Sequence, residues 1–165
     1  MLPDINTIIY ASDIREGSRP AFRMAVAEAI RHQARIVFLH VLEPVSAETE
    51  EMIRDYLPAA VHHLHTGQLL EARRARIEAR IQAFLDDELE GQQLPFAPTV
   101  RVDIGQPGSG ILAAAKAENA DLIVMGDRAS HSLSRLFLGS TAQSVIHRSP
   151  VPVLIVPLKA ASSGD

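Results

Sequence analysis

Cysteine is absent from this chain. Its absence excludes disulfides, thiol nucleophiles and thiolate metal sites together. Aromatic residues fill only 4% of the 165 positions, and they are not interleaved with basic residues as in platforms for RNA or single-stranded DNA. Positive charge is not in excess either. The formal net charge is −4, whereas a non-specific DNA binder presents a basic surface. No apolar run approaches the roughly 18 residues needed to span a membrane, and no internal repeat is evident. The opening Met1-Leu2-Pro3-Asp4-Ile5-Asn6 lacks the basic region and apolar run of a signal peptide, so the expectation is a cytoplasmic protein. Signatures of catalysis are missing too: no nucleophile elbow, no HExxH, no G-x4-G-K-S/T loop. The expectation is a protein without catalytic residues, and without nucleic acid or membrane as partners.

The chain that remains is 47% hydrophobic and 22% charged, the mix of an ordinary globular domain with a real core. We expect one domain over residues 1–159 and a flexible tail over residues 160–165, which are small and polar. Five strand candidates alternate with helical stretches. Ile5 to Ala11 and Arg35 to Leu42 are too continuously apolar to be half-exposed, which suits central strands. Pro98 to Ile104 alternates Val100, Val102 and Ile104 with Thr99, Arg101 and Asp103; that period of two marks an edge. Asp121 to Met125 is short, apolar and central. Val151 to Pro157 carries Pro152 and Pro157, which donate no ladder hydrogen bonds and place it at an edge.

The helical stretches have their own punctuation. Ser18 is read as a cap with Pro20 in the first turn, followed by a stripe of Phe22, Val26, Ala29 and Ile30. Leu70, Ile77, Ile81, Phe84 and Leu85 predict a long amphipathic helix, preceded by a shorter helix or lid and ended by Gly91 and Pro95. Gly105-Gln106-Pro107-Gly108 turns into a further helix. A last helix opens at Ser140, which with Gln143 fits a capping box; His147 and Arg148 lie in its final turn. Such alternation predicts an α/β fold: a doubly wound, Rossmann-like parallel sheet with helices on both faces. Ligands on such sheets bind beyond the carboxyl ends of the strands, here Ala11-Ser12-Asp13, Val41-Leu42, Gly105 and Gly126.

Val124-Met125-Gly126-Asp127-Arg128-Ala129 followed by Gly139-Ser140-Thr141 is the most informative segment. It reads as a buried strand, a glycine turn, a ten-residue loop and a helix start. The first N–H groups of a helix lack internal partners and carry partial positive charge, which suits a phosphate. Gly126 can also serve as a strand-to-loop turn and Asp13 as a turn cap, but Gly126 beside a helix-opening Gly139-Ser140 favours the phosphate reading; at Ser140 an N-cap and a phosphate can share the same N–H cluster. Asp127 brings a negative charge to the loop; Arg128 and Arg135 offset it or are solvated surface residues. His62-His63-x-His65 does not have the spacing of a closed metal site and is read as an exposed helix face, with no metal expected. His40 is read as a satisfied core histidine. Arg73, Arg74, Arg76 and Arg80, interleaved with Glu71 and Glu78, are read as a solvated face.

These segments, taken in order, resemble one family. Thr7 to Asp13, Leu39-His40-Val41, Asp103 to Pro107, Asp121 to Gly126, Leu133 to Ser140 and Pro150 to Val156 are similar to successive segments of the universal stress proteins. The spacing matches their G-x2-G-x9-G-S/T signature except that Ala129 stands where the family has its second glycine; a Cβ there resists positive φ and close phosphate approach. The resemblance implies strand order 3-2-1-4-5 and a homodimer through Val151–Val156. It implies an adenine nucleotide, ATP with or without Mg²⁺, as ligand. Ala11, Ser12 and Asp13 would lie near ribose and adenine, and Val41 would meet adenine through its backbone. Met125 and Gly126 would flank the ribose and first phosphates, and Ala129, Gly139, Ser140 and Thr141 would cradle the phosphates. The implied role is regulatory, through a protein partner. A dimeric scaffold that binds no nucleotide and a slow ATPase are the alternatives.

Overall fold

The computed structural model describes residues 1–56, 66–128 and 138–159. Ala129, Arg135, the His62-His63-x-His65 cluster and the tail over residues 160–165 lie outside the described residues. The elements run β1 (Thr7–Ala11), α1 (Arg19–His32), β2 (Arg35–Leu42), α2 (Ala47–Tyr56), α3 (Thr66–Glu88), β3 (Thr99–Ile104), α4 (Pro107–Ala117), β4 (Leu122–Arg128), α5 (Ser140–Arg148) and β5 (Val153–Leu158). All five strands join one sheet in the order β3-β2-β1-β4-β5, and every neighbouring pair is parallel. The expected order and the two edge strands are therefore found.

The side chains explain the layers. Every residue of β1 is buried, as suits a strand with a neighbour on each side and helices above and below. On one face Ile8, Tyr10, Ile36, Phe38 and Val124 pack against Ala21, Phe22, Ala25 and Ala29 of α1 and Ile81 and Leu85 of α3. The rings of Tyr10 and Phe38 meet edge-on at 4.9 Å, and Phe22 and Phe84 at 5.2 Å. On the other face Ile9, Val37, Leu39, Val41 and Ile123 pack against Ile111, Ala114 and Ala115 of α4 and Ala142 and Val145 of α5. Consecutive residues feed opposite cores, as the strand's period of two requires.

Several local expectations need correction. The stripe of α1 turns inward at Ala21, Phe22, Ala25 and Ala29, while Ile30 is 40% exposed; small residues let α1 lie close to the sheet. Ser18 is the N-cap of α1, but its hydroxyl makes no capping bond; its carbonyl accepts instead from the N–H groups of Ala21 and Phe22. The capping box at Ser140 and Gln143 does not form. Gly139 is the N-cap, and the Gln143 amide donates to the Leu138 carbonyl at 2.8 Å. β4 does not end at Met125 in a glycine turn. It runs on to Arg128, because β5 continues beside it with Gly126 opposite Val156 and Arg128 opposite Leu158.

The amino ends of the strands are tied by charge. Asp121 accepts from the backbone N–H groups of Asn6 and Thr7 at 2.9 and 3.0 Å. Glu118 takes Arg35 and Arg101 at 3.2 and 3.0 Å. Burial raises the Glu118 carboxyl, but its bonds to Arg101 and Arg35 outweigh that and hold it below the usual carboxylate range. This end is a structural clasp, and the opposite end is left for the site.

Candidate functional site

The carboxyl ends of β1, β2 and β4, the loop after β1 and the start of α5 enclose a cavity of about 660 Å³, within the range of small-molecule sites. Of the ten residues singled out from the sequence, nine line it: Ala11, Ser12, Asp13, Val41, Met125, Gly126, Gly139, Ser140 and Thr141. The tenth, Ala129, lies outside the described residues. These nine come from four separate stretches of chain, and the parallel sheet brings them together because its strands all end on the same side. By helix geometry the first-turn N–H groups of α5 have no intrahelical carbonyl partner.

His40 is a satisfied histidine, but it stands in the cavity wall rather than wholly within the core. Its Nδ1 lies 2.8 Å from the Ser12 carbonyl. That oxygen can only accept, so Nδ1 carries the proton. Tyr10 is buried, which pushes its phenol above the ordinary value, and its hydroxyl donates to the Ser18 carbonyl at 3.4 Å.

The charged groups are not arranged as their residue types alone suggest. Arg128 is not a solvated surface residue. Its side chain is 18% exposed and its Nε lies 2.9 Å from Asp13, with a second contact through Nη2 at 3.3 Å. Asp13 also accepts from the Arg15 N–H at 3.0 Å, so the turn-cap reading holds alongside its place in the cavity. Burial raises the Asp13 carboxyl; the bond from Arg128, the Arg15 N–H and the two positive charges outweigh it and hold the group below the usual range. Asp127 is not in a loop. It sits on β4 and its Oδ1 accepts from the Gly139 N–H at 3.0 Å, putting a carboxylate at the start of α5.

The arginines of α3 are also more than a solvated face. Arg73 lines the cavity, and Arg80 donates to the Ile14 carbonyl at 3.2 Å. Ile14 has φ +56°, unusual for a β-branched residue. The loop after β1 is held in that conformation by Arg80 on one side and the Arg128–Asp13 pair on the other. No sequence signal announces these contacts; Asp13 and Arg128 are 115 positions apart.

Gly126 has a packing reason as well. A Cβ on it would lie 2.4 Å from Leu158 Cδ1 and 2.9 Å from Leu158 Cγ. The side chain of β5 fills the space a methyl group would take. Among the described residues no group of three or more histidine and carboxylate side chains is placed to hold a metal ion, and no helix is long and apolar enough to cross a membrane.

Residues 5–157 match the model of the universal stress protein family. The chain is 34% identical over 154 residues to the universal stress protein encoded in the QAH/OAS sulfhydrylase 3′ region of Thermus aquaticus, covering 91% of this chain and 97% of that one. Its fold is similar to that of the universal stress protein UspA from Lactobacillus plantarum, with a TM-score of 0.69, 24% identity, and coverage of 94% and 99% of the two chains. It is similar also to a universal stress protein crystallised in complex with cAMP, with a TM-score of 0.57, 18% identity, and coverage of 94% and 98%.

Proposed function

The chain belongs to the universal stress protein family, and on that premise we propose that the cavity at the carboxyl ends of β1, β2 and β4 binds an adenine nucleotide, for which ATP is the expectation from sequence. The observation that carries this reading is the convergence of Ala11, Ser12, Asp13, Val41, Met125, Gly126, Gly139, Ser140 and Thr141 on one cavity. The base lies between the ends of β1 and β2, with its edge on the Val41 backbone, and the phosphates point to the first turn of α5, where N–H groups without intrahelical partners and the helix dipole favour an anion. The cAMP complex of a structural neighbour supports the choice of an adenine ligand. Any Mg²⁺ arrives on the phosphates rather than in a cage of this chain's own side chains. The protein works as a regulator rather than an enzyme, and as a homodimer through Val151–Val156, where β5 leaves half-buried Val153, Leu154, Ile155 and Val156 at the sheet edge. The protein partner reads the region between β2 and β3, where α3 lines the site through Arg73 and holds the loop after β1 through Arg80.

One observation favours a second reading, a scaffold without nucleotide. Asp127 already occupies the Gly139 N–H, and Arg128 is spent on Asp13. Mass spectrometry of small molecules released from the natively purified protein, followed by titration calorimetry with adenine nucleotides, separates the two. Binding that Gly139→Val abolishes supports the nucleotide reading; no binding of any adenine nucleotide establishes the scaffold.

A further inference from the structure

The phosphate end of this cavity carries its own anion. Asp127 Oδ1 accepts from the Gly139 N–H at 3.0 Å, and it would be 3.4 Å from a Cβ placed on Gly139, so the carboxylate lies directly against the start of α5. The neighbouring cation does not balance it. Arg128 turns away to Asp13, holding it through Nε at 2.9 Å and Nη2 at 3.3 Å. The other guanidinium groups in the lining, Arg15 and Arg73, come from the loop after β1 and from α3; Glu43 adds a carboxylate beyond β2. On the β4–α5 side, among the described residues, the lining charges are thus one carboxylate held by the Gly139 N–H and one arginine already paired.

Resting on the adenine-nucleotide reading above, we infer that Asp127 sets the phosphate number this site accepts: it admits adenosine and a singly phosphorylated adenine nucleotide and discriminates against ATP. A monophosphate is served by the N–H groups of Ser140 and Thr141 beyond Asp127. Further phosphates must either displace the carboxylate from Gly139 or lie beside it. Each alternative sets negative groups within a few ångströms of one another in a partly enclosed cavity, where like charges repel by enough to change affinity about tenfold. A carboxylate in this place is thus a counter-selective group, a feature of specificity rather than of affinity.

The test is titration calorimetry in EDTA, with adenosine, AMP and ATP, on the wild-type protein and on Asp127→Asn. The asparagine keeps the size of the side chain and an oxygen able to accept from Gly139, so the fold is retained while the charge is removed. The wild type is expected to bind AMP at least tenfold more tightly than ATP. Asp127→Asn is expected to tighten ATP about tenfold and to leave adenosine within twofold of wild type. Equal wild-type affinities for AMP and ATP would overturn the inference, as would an ATP to AMP ratio that Asp127→Asn leaves unchanged. A loss of adenosine affinity in the variant would also overturn it, since Asp127 would then be shaping the cavity rather than screening charge. If none of these ligands binds either protein, the adenine-nucleotide reading itself falls, and this one with it.

Discussion

Gly126 is the motif residue with two competing explanations, and a pair of substitutions separates them. Its φ lies outside the left-handed region, so alanine is compatible with the backbone; the obstacle is Leu158, whose Cδ1 would be 2.4 Å from the new methyl group and whose Cγ would be 2.9 Å away. Leu158 is 6% exposed and is held beside β4 by the ladder, so it has little room to yield. Overpacking of this kind costs roughly 1–3 kcal/mol. Against it stands a gain of about 0.4–1 kcal/mol from the stiffer unfolded chain. Gly126→Ala is therefore expected to destabilise the protein by about 1–2 kcal/mol, a fall of several degrees in Tm at this size. Leu158→Ala removes the obstructing atoms at its own cost of about 2–5 kcal/mol. In that background the sign reverses, and Gly126→Ala stabilises by about 0.4–1 kcal/mol. Urea unfolding of the four proteins at one fixed protein concentration gives the cycle. A Gly126→Ala penalty of the same size in both backgrounds would refute the packing explanation. If Gly126→Ala is neutral to stability yet weakens nucleotide binding, the glycine serves the ligand.

The remaining expectations are more local. Asp13 has its carboxyl held low in the fold by Arg128 against the opposing effect of burial; its contribution to stability is full above the ordinary aspartate value near 3.9 and fades as pH falls through the lowered value. Asp13→Asn should accordingly flatten the loss of urea resistance between about pH 4 and pH 2, and a variant whose acid profile overlays the wild type would contradict the pairing. Glu118→Gln should cost roughly 1 kcal/mol, because Arg35 and Arg101 both bond that carboxylate; Arg101→Gln should cost less in that background, where only its bonds to Asp103 are left to lose, than in the wild type, and full additivity would show that the two do not act as one cluster. Leu154→Lys places a charge on the apolar edge strand and should yield a monomer by sedimentation at micromolar concentration, with the far-ultraviolet spectrum unchanged; a dimer that survives it puts the interface elsewhere.

What was legible in the sequence was whatever depends on neighbours in the chain. The unbroken apolar run of β1, the alternation of Val100, Val102 and Ile104 with polar residues, and the prolines around β5 each report how many faces and ladders a strand must satisfy, and those demands are local. The strand ends followed, and with them the stretches that meet at the cavity. What was not legible is how each charge is used. The Asp127-Arg128 dipeptide reads in sequence as a loop anion with a cation beside it, a pair that cancels. In the fold β4 continues through both residues because β5 runs alongside, and adjacent strand residues point to opposite faces. Asp127 is thereby delivered to Gly139, 12 positions on, and Arg128 to Asp13, 115 positions back. Neighbours in the chain that look mutually neutralising are separated by the period of the strand, so a two-residue extension past Gly126 sends Asp127 to the start of α5 and Arg128 to the loop after β1. Sequence spacing marks a candidate phosphate cradle by its glycines and helix start, but which side chains stand at that candidate depends on strand register, which no local pattern in this chain carries.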